Sequence, residues 1–253
     1  MKALLLDVGN TRLKWGIAEN GEIHKTGYIT QASIKEQGIS VLTTRLPRHV
    51  DAVMASNVAG PTFATRLSGV IGAHCNRDVH FASSRKSELG LTNAYSKPRT
   101  MGVDRWVAMI GAWTEFGAAC LVVDAGTAVT IDAIDDDGQH LGGQILPGID
   151  LMAKALAKDT SDIPQVKRQK AGAFEGLDQF TGSTAAAVGS GALAAVTGAV
   201  ERGIKTLRSN AYDPQVVLTG GDASRILQAL DEDLLHRPNL VLEGLTRMLE
   251  SET

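Results

Sequence analysis

The fold is decided by two similar stretches of sequence, Lys2-Ala-Leu-Leu-Leu-Asp7-Val-Gly-Asn-Thr11 and Cys120-Leu-Val-Val-Asp124-Ala-Gly-Thr127. Each begins with an apolar run typical of a buried strand and ends in an aspartate followed by a glycine-containing turn. One copy lies in each half of the chain, so the repeating unit is far too long for a solenoid. The pattern therefore indicates a duplicated domain.

The sequence after each turn is also similar in the two halves. A strand over 13–17, the hairpin signal Asn20-Gly21 and a third strand over 22–28 follow the first turn. An alternating strand to Ile134 and a return strand over 139–146 follow the second turn. The other predicted strands are 51–56, 78–82 and 215–219, and the predicted helices are 33–46, 61–71, 103–116, 150–158, 181–208, 223–230 and 240–250, with a polar loop over 91–100.

Composition excludes several classes of protein. The chain has 253 residues, of which 43% are hydrophobic and 21% charged, as in a globular protein. Its 25 basic and 28 acidic residues give a net charge of −3, so it lacks the basic field that non-specific nucleic-acid binding requires. Aromatic residues make up only 4%, which weakens any proposal of base stacking. We therefore expect no nucleic-acid partner.

Cysteine usage and hydropathy indicate a cytoplasmic protein. Cys75 and Cys120 lie in no metal-binding spacing, and Cys120 opens a predicted strand, as a small buried hydrophobe would. The N-terminal apolar run is too short for a signal peptide. The uncharged stretch from Gln179 to Val200 is rich in alanine, glycine, serine and threonine, which gain little free energy in lipid. We interpret it as a buried helix and expect no membrane partner.

The first turn has the residues of a phosphate site. Gly9 permits a tight reversal, Asn10, Thr11 and the backbone N–H groups supply donors, and Lys14 adds a positive charge. Asp7 at the strand end could hold a hydrated Mg²⁺, which keeps most of its waters. An ordinary hairpin, in which Asp7 accepts hydrogen bonds from turn amides, remains the alternative.

The repeat favours the phosphate-binding interpretation. Asp124-Ala-Gly-Thr127 forms a second acidic turn, and Thr219-Gly-Gly-Asp222 ends a third buried strand in glycines. Turns of this kind facing one another would surround a polyphosphate from both sides. In architecture the sequence resembles the actin, sugar-kinase and chaperone ATPase superfamily, which implies an α/β fold of two ribonuclease H-like domains flanking a cleft.

Four ordered motifs sharpen the resemblance: Asp7-Val-Gly-Asn-Thr11, Gly102-Val-Asp-Arg-Trp106, Asp124-Ala-Gly-Thr127 and Gly142-Gly-Gln-Ile-Leu-Pro-Gly148. Together they resemble type III pantothenate kinases, some of which have been called Bvg accessory factors. The resemblance implies ATP-dependent phosphorylation of pantothenate to 4′-phosphopantothenate, the first step of coenzyme A biosynthesis. We expect the N-terminal domain to span 1–117 and the C-terminal domain 118–253.

The same resemblance implies roles for individual residues. Asp104 matches the family's proton acceptor, and Asp124 matches its ligand for a monovalent cation, K⁺ or NH₄⁺, while Mg²⁺ accompanies ATP. The implied ATP-binding residues are Asp7, Val8, Gly9, Asn10, Thr11, Arg12, Leu13, Lys14 and Thr127. The implied pantothenate-binding residues are Tyr95, Gly102, Val103, Asp104, Arg105 and Thr184. Alanines follow Thr184 where the common family pattern has acidic residues.

Other interpretations stay open at this point. Asp104 and Arg105 could be a helix N-terminal acid beside an exposed base, and Gly142-Gly143 could only shape a hairpin. The whole chain could be another small-molecule kinase, or a nucleotide-binding accessory or regulatory protein without kinase activity. The helix from Val103, with Trp106 and Trp113, is more apolar than a surface helix should be. This feature, together with the resemblance, predicts a homodimer.

Overall fold

The structure of the chain, a computed structural model, describes residues 1–159, 163 and 180–252. It divides into two compact units, one formed by Met1–Glu115 with Asn239–Thr253 and the other by Phe116–Pro238. The sequence prediction placed the whole of 118–253 in the second domain. The structure instead places the C-terminal helix in the first unit, where it packs against the first sheet.

The elements are numbered in chain order. The described strands are β1 (Lys2–Val8), β2 (Arg12–Glu19), β3 (Glu22–Thr30), β4 (Ala52–Asn57), β5 (His80–Phe81), β6 (Ser87–Glu88), β7 (Leu91–Thr92), β8 (Cys120–Ala125), β9 (Ala128–Ile134), β10 (His140–Pro147), β11 (Gln215–Thr219) and β12 (Leu234–His236). The described α-helices are α1 (Gln31–Gln37), α2 (Pro61–Cys75), α3 (Val103–Phe116), α4 (Ile149–Asp159), α5 (Thr184–Ser209), α6 (Ala223–Leu227) and α7 (Leu240–Ser251).

The two units contain five-stranded sheets of the same topology. The strand orders are β3-β2-β1-β4-β5 in the first unit and β10-β9-β8-β11-β12 in the second. In each sheet the first three strands in sequence form an antiparallel meander, and the fourth and fifth lie parallel to the first. The central strands β1 and β8 are continuous apolar runs because both of their faces are covered. The prediction of an α/β protein built from two ribonuclease H-like domains is confirmed.

Helices α3 and α7 form a close pair in the first unit. A Cβ atom on Gly111 would lie 2.7 Å from the carbonyl oxygen of Leu240, and one on Gly244 would meet the carbonyl of Val107. Glycine at both positions lets the backbones approach where any side chain would collide. Every residue of α3 from Arg105 to Ala112 is buried. Its apolar character is therefore explained inside the unit and no longer supports a dimer.

Several predicted boundaries differ from the structure. The helix predicted over 33–46 ends at Gln37, because Gly38 has a φ of 83°, and a short 3₁₀ helix follows over Ile39–Thr44. The predicted loop over 91–100 contributes β7 to a small hairpin with β6 and contains a 3₁₀ turn at Pro98–Thr100. Strand β12 was not predicted, because its three residues carry no periodic signal.

One described helix has the length and composition of a membrane span. This helix is α5, and 44% of its most apolar window is buried inside the protein. Its buried side chains, among them Leu193, Val196 and Val200, pack in the core of the second unit with β8 and β9. This packing fits the interpretation of the uncharged stretch as a core helix. Gln179, where that stretch begins, lies outside the described residues.

Candidate active site

The first turn (residues 9–11) joins the antiparallel strands β1 and β2. Asp7 lies in register with Lys14 on β2 and with Ser56 on β4, so a carboxylate, an ammonium group and a hydroxyl residue share one end of the sheet. Asn10 and Thr11 are exposed at the tip of the turn. A charged lysine and exposed donors beside a strand end can bind phosphate oxygens.

Hydrogen bonds to both neighbours hold this turn in place. The backbone N–H of Gly9 donates to the carbonyl of Arg12 at 3.0 Å, so the turn itself uses that donor. Gln31, the first residue of α1, donates its backbone N–H to the carbonyl of Thr11 at 2.8 Å and its Nε2 to the carbonyl of Gly9 at 2.8 Å. Sequence reasoning missed Gln31, because a glutamine after a strand has no motif context.

The nine residues predicted to bind ATP do not all present side chains to solvent. Val8 and Leu13 are fully buried in the core of the first unit. Only their backbone groups can contribute to a phosphate site. Arg12 is half-buried and its guanidinium lies 5.0 Å from the ring centre of Tyr28, a cation–π contact that holds the side chain on β3.

The start of α3 brings together the residues predicted to bind the acceptor. Asp104 lies in the first turn of the helix, and its Oδ1 accepts a hydrogen bond from the backbone N–H of Arg105 at 2.8 Å. A Cβ atom on Gly102 would lie 2.7 Å from that same Oδ1. Gly102 therefore leaves the space that the Asp104 carboxylate occupies, which explains a glycine at this place in the motif.

Arg105 and Tyr95 form a second contact at this site. Arg105 is only 6% exposed, and its Nη1 donates to the Tyr95 hydroxyl at 3.0 Å. The guanidinium carbon also lies 5.8 Å from the centre of the Tyr95 ring. Arg105 is thus buried and hydrogen-bonded, contrary to its interpretation as an exposed base. A guanidinium and a carboxylate held side by side suit an acceptor that carries both a carboxylate and a hydroxyl.

The second turn (residues 126–127) has a related geometry in the second unit. Asp124, one residue before the end of β8, is half-buried, and Thr127 is exposed. The Gly126 N–H donates to the carbonyl of Ala128 at 3.0 Å. Gly148, just before α4, donates its N–H to the carbonyl of Thr127 at 2.9 Å. A Cβ atom on Gly148 would collide with the carbonyl oxygens of Gly126 and Thr127. The glycine motif over 142–148 therefore supports the second turn as well as shaping a hairpin.

The third turn (residues 220–222) packs against the second. The Asp222 N–H donates to the carbonyl of Ala125 at 2.9 Å, and a Cβ atom on Gly220 would collide with that residue's backbone. Arg225, which is 6% exposed, donates to Asp150 Oδ1 at 2.9 Å and lies 3.6 Å from Asp222. The arginine thereby joins the third turn to the start of α4. Sequence reasoning identified the glycines and missed this ion pair, whose members are far apart in the chain.

Thr184, the remaining predicted residue, is the first residue of α5. It is exposed, and Ser183 caps the helix by accepting a hydrogen bond from the N–H of Ala186 at 3.3 Å. Thr184 belongs to the second unit with Asp124 and Thr127, whereas Tyr95, Asp104 and Arg105 belong to the first.

Asp124 and Ala125 place two oxygen atoms beside Gly220. A Cβ atom on Gly220 would lie 2.5 Å from Asp124 Oδ1 and would collide with the carbonyl of Ala125, so the backbone packs closely there. Carboxylate and carbonyl oxygens are the donors that hard cations take in proteins. Within residues 1–159, 163 and 180–252, no three His, Cys, Asp or Glu side chains lie close enough together to hold a metal ion. Asp7 fits Mg²⁺ in the manner expected for that ion, which binds through one or two carboxylates and the substrate phosphates.

Comparison with known proteins places the chain in a family. The family model for type III pantothenate kinase matches residues 3–206. A type III pantothenate kinase of Nitrosococcus oceani is 34% identical over 97% of this chain and 92% of the relative. One from Azoarcus sp. is 38% identical over 96% of this chain and 88% of the relative.

A solved structure supports the fold. A protein from Campylobacter jejuni assigned to the Baf family of transcriptional activators matches with a TM-score of 0.60 and 21% identity over 98% of both chains. At 21% sequence identity, this comparison shows a shared fold and nothing about function. The family model and the relatives carry the assignment: the chain belongs to the type III pantothenate kinases, phosphotransferases that phosphorylate pantothenate in coenzyme A biosynthesis.

Proposed function

We propose that the acceptor chemistry of this kinase is carried by Asp104, Arg105 and Tyr95 at the start of α3. The observation that supports this proposal most directly is the contact set there. Arg105 is buried, its guanidinium donates to the Tyr95 hydroxyl at 3.0 Å, and Gly102 leaves room for the Asp104 carboxylate. Arg105 then binds the pantothenate carboxylate, and Asp104 receives the proton of its primary hydroxyl.

The reaction forms one bond and breaks one at phosphorus, and it transfers one proton. The hydroxyl oxygen of pantothenate attacks the γ-phosphorus of ATP, the bond from that phosphorus to the β–γ bridging oxygen breaks, and ADP leaves. The hydroxyl proton passes to Asp104. Because the transition state of phosphoryl transfer is loose, the protein contributes mainly by positioning and by stabilising charge. Asp104 therefore orients the acceptor as well as removing its proton.

The turns are proposed to bind ATP. Asn10 and Thr11 of the first turn and Lys14 on β2 would supply donors and a positive charge for the phosphates. Thr127 of the second turn is the further residue proposed to contact ATP. Mg²⁺ near Asp7 would neutralise part of the phosphate charge. Val8 and Leu13 take part only through their backbone, since their side chains are in the core.

Asp124 is proposed to hold a monovalent cation, K⁺ or NH₄⁺. The carboxylate of Asp124 is half-buried near the end of β8 and supplies a negative charge that a monovalent cation would balance. We expect activity to rise with K⁺ or NH₄⁺ and to be weak in Na⁺ alone at constant ionic strength. Equal rates in the three salts would remove Asp124 from this role.

The decisive experiment is a coupled ADP-release assay with and without pantothenate, run first in K⁺ and then in Na⁺ buffer. Release that depends on pantothenate supports the proposal. Nucleotide binding without turnover of pantothenate would favour an accessory or regulatory role, and turnover of a different alcohol would indicate another small-molecule kinase.

We further propose that the protein acts in the cytoplasm as a homodimer. Support for self-association lies in the second unit, where Leu141 and Ile145 on β10 are 48% and 64% exposed and Leu151 and Leu156 on α4 are each 43% exposed. Contiguous apolar patches are typical of an interface, and these side chains are the candidates for such a patch in this unit. Sedimentation that shows only monomer at micromolar concentration would contradict the dimer.

A further inference from the structure

A buried asparagine lies at the centre of the loop that carries Tyr95. Asn93 is 0% exposed and directly follows the two-residue strand β7 of the first unit. Its Oδ1 accepts a hydrogen bond from the backbone N–H of Tyr95 at 2.9 Å, and its Nδ2 donates to the Met101 sulfur at 3.6 Å. One amide side chain therefore contacts both ends of the segment between residues 95 and 101.

The backbone of Asn93 is held as firmly as its side chain. Its N–H donates to the carbonyl of Lys86 at 2.8 Å, and its carbonyl accepts from the Lys86 ammonium at 2.8 Å. At the far end of the segment, the buried Ser84 hydroxyl donates to the carbonyl of Met101 at 3.0 Å. The asparagine is thus anchored through its backbone to Lys86, the residue before β6.

The hydrogen bonds of Asn93 are connected to the residues proposed to bind pantothenate. Asn93 fixes the backbone of Tyr95, and the Tyr95 hydroxyl accepts the hydrogen bond from Arg105. On the other side, Met101 precedes Gly102, whose missing side chain leaves space for the Asp104 carboxylate. A fully buried amide that makes hydrogen bonds with both of its polar atoms costs little, whereas loss of one partner leaves a buried group unsatisfied.

We propose that Asn93 is a positioning residue that sets the place of Tyr95 and, through the Tyr95 hydroxyl, the direction of the Arg105 guanidinium toward the pantothenate carboxylate. The inference rests on the proposed acceptor role of Tyr95 and Arg105. Asn93 itself is buried and touches no substrate. Its effect should therefore appear in the capture of pantothenate and not in ATP binding.

The first test is the kinetics of Asn93→Ala. We expect the KM for pantothenate to rise about tenfold, as loss of a buried hydrogen bond predicts. We expect kcat to stay within about threefold and the KM for ATP within about twofold, because the loss concerns ground-state positioning of one substrate. Asn93→Ser keeps an uncharged oxygen acceptor for the backbone two residues ahead and should recover most of the affinity for pantothenate.

The second test combines Asn93→Ala with Tyr95→Phe. If Asn93 acts through the Tyr95 hydroxyl, the double variant should bind pantothenate within about twofold of Tyr95→Phe alone, because coupled residues are not additive. Equal effects of Asn93→Ala in the two backgrounds would overturn the proposal.

A control separates positioning from general destabilisation. Ile71→Val removes one methylene from the core beneath α2 and should lower the unfolding temperature without changing the KM for pantothenate. If Asn93→Ala and Ile71→Val change kcat and both KM values alike, Asn93 is merely structural and the proposal is wrong. Activity of the parent enzyme is measured first: its failure on pantothenate would overturn the proposed function, whereas failure of the variants alone would overturn only the role of Asn93.

Discussion

The two sheets have the same strand order, yet their turns are supported in different ways. The first turn has three residues between its strands and is held by a side chain, since Gln31 donates both its backbone N–H and its Nε2 to the turn. The second turn has two residues and is held by glycine backbone, with Gly148 and Gly220 packed where no Cβ would fit. The three-residue first turn therefore exposes more residues, whereas the two-residue second turn is packed more closely against neighbouring backbone.

The difference suggests a division of tasks between the units. The first unit carries the exposed Asn10 and Thr11 and also the acidic, basic and aromatic groups at the start of α3. In the second unit, close backbone packing at Gly148 and Gly220 supports the turn beside Asp124, the proposed cation ligand. We expect variants of the first unit to change chemistry or substrate affinity, and variants of the second unit to change stability and cation dependence.

Asp104→Asn should have the largest effect and is the strongest test of chemistry in the first unit. The change keeps the shape of the side chain and removes its ability to accept the hydroxyl proton. Removal of a general base typically lowers the rate by about 10²–10⁴-fold, and we expect kcat to fall by that order. ATP binding, measured by equilibrium titration, should be unchanged because both turns remain intact. Turnover within about threefold of the parent would contradict the role of Asp104 and make Asp7 the next residue to test.

Gly148→Ala should have the next largest effect and tests the rigidity of the second turn. The added methyl group would collide with two backbone carbonyl oxygens, which cannot rotate away as a side chain could. We expect a loss of about 1–3 kcal/mol in the free energy of unfolding. Thermal or urea unfolding measures it, and activation by K⁺ should weaken in parallel.

A matched control for Gly148→Ala lies in the same unit. Gly191 is an exposed residue of α5 with no atom within 4 Å of its Cβ position. Gly191→Ala should therefore stabilise the helix by about 0.5–1 kcal/mol. If Gly148→Ala is as stable as the parent, the second turn does not depend on close backbone packing. The two turns would then not differ in how they are supported.

The residues that sequence reasoning found and missed follow a physical pattern. The positions of Asp7 and Asp124 near a strand end and of Asp104 at a helix start were predictable, because each lies within a motif; their roles stay predictions. Gln31, Asn93 and Arg225 could not be found, since their partners are set by tertiary packing and polar loop residues have no periodicity.

The placement of the last helix, α7, also depends on tertiary packing that the sequence does not reveal. Residues 239–253 follow the second unit in sequence and were assigned to it, but α7 packs on β1, β2 and β4 of the first unit. Its amphipathic pattern shows that it buries one face and cannot show against which sheet. The glycines that select its partner, Gly111 and Gly244, become informative only when the two helices are seen together.

Gln31→Ala should have the smallest effect, and it tests whether a side chain really supports the first turn. The change removes the hydrogen bond from Nε2 to the carbonyl of Gly9 but keeps the backbone bond to Thr11. A single partly buried hydrogen bond contributes about 0.5–1.5 kcal/mol, so we expect the KM for ATP to rise by a factor of about two to ten. The KM for pantothenate should not change, because Tyr95 and Arg105 do not contact Gln31 through any hydrogen bond in the described part of the chain.

Gln31→Glu is the control that distinguishes the size of the side chain from its hydrogen bond. Glutamate has the same size as glutamine, but its carboxylate cannot donate a hydrogen bond to the carbonyl of Gly9. If both variants bind ATP as tightly as the parent, the backbone bond alone supports the turn and the contrast with the glycine-supported second turn does not hold.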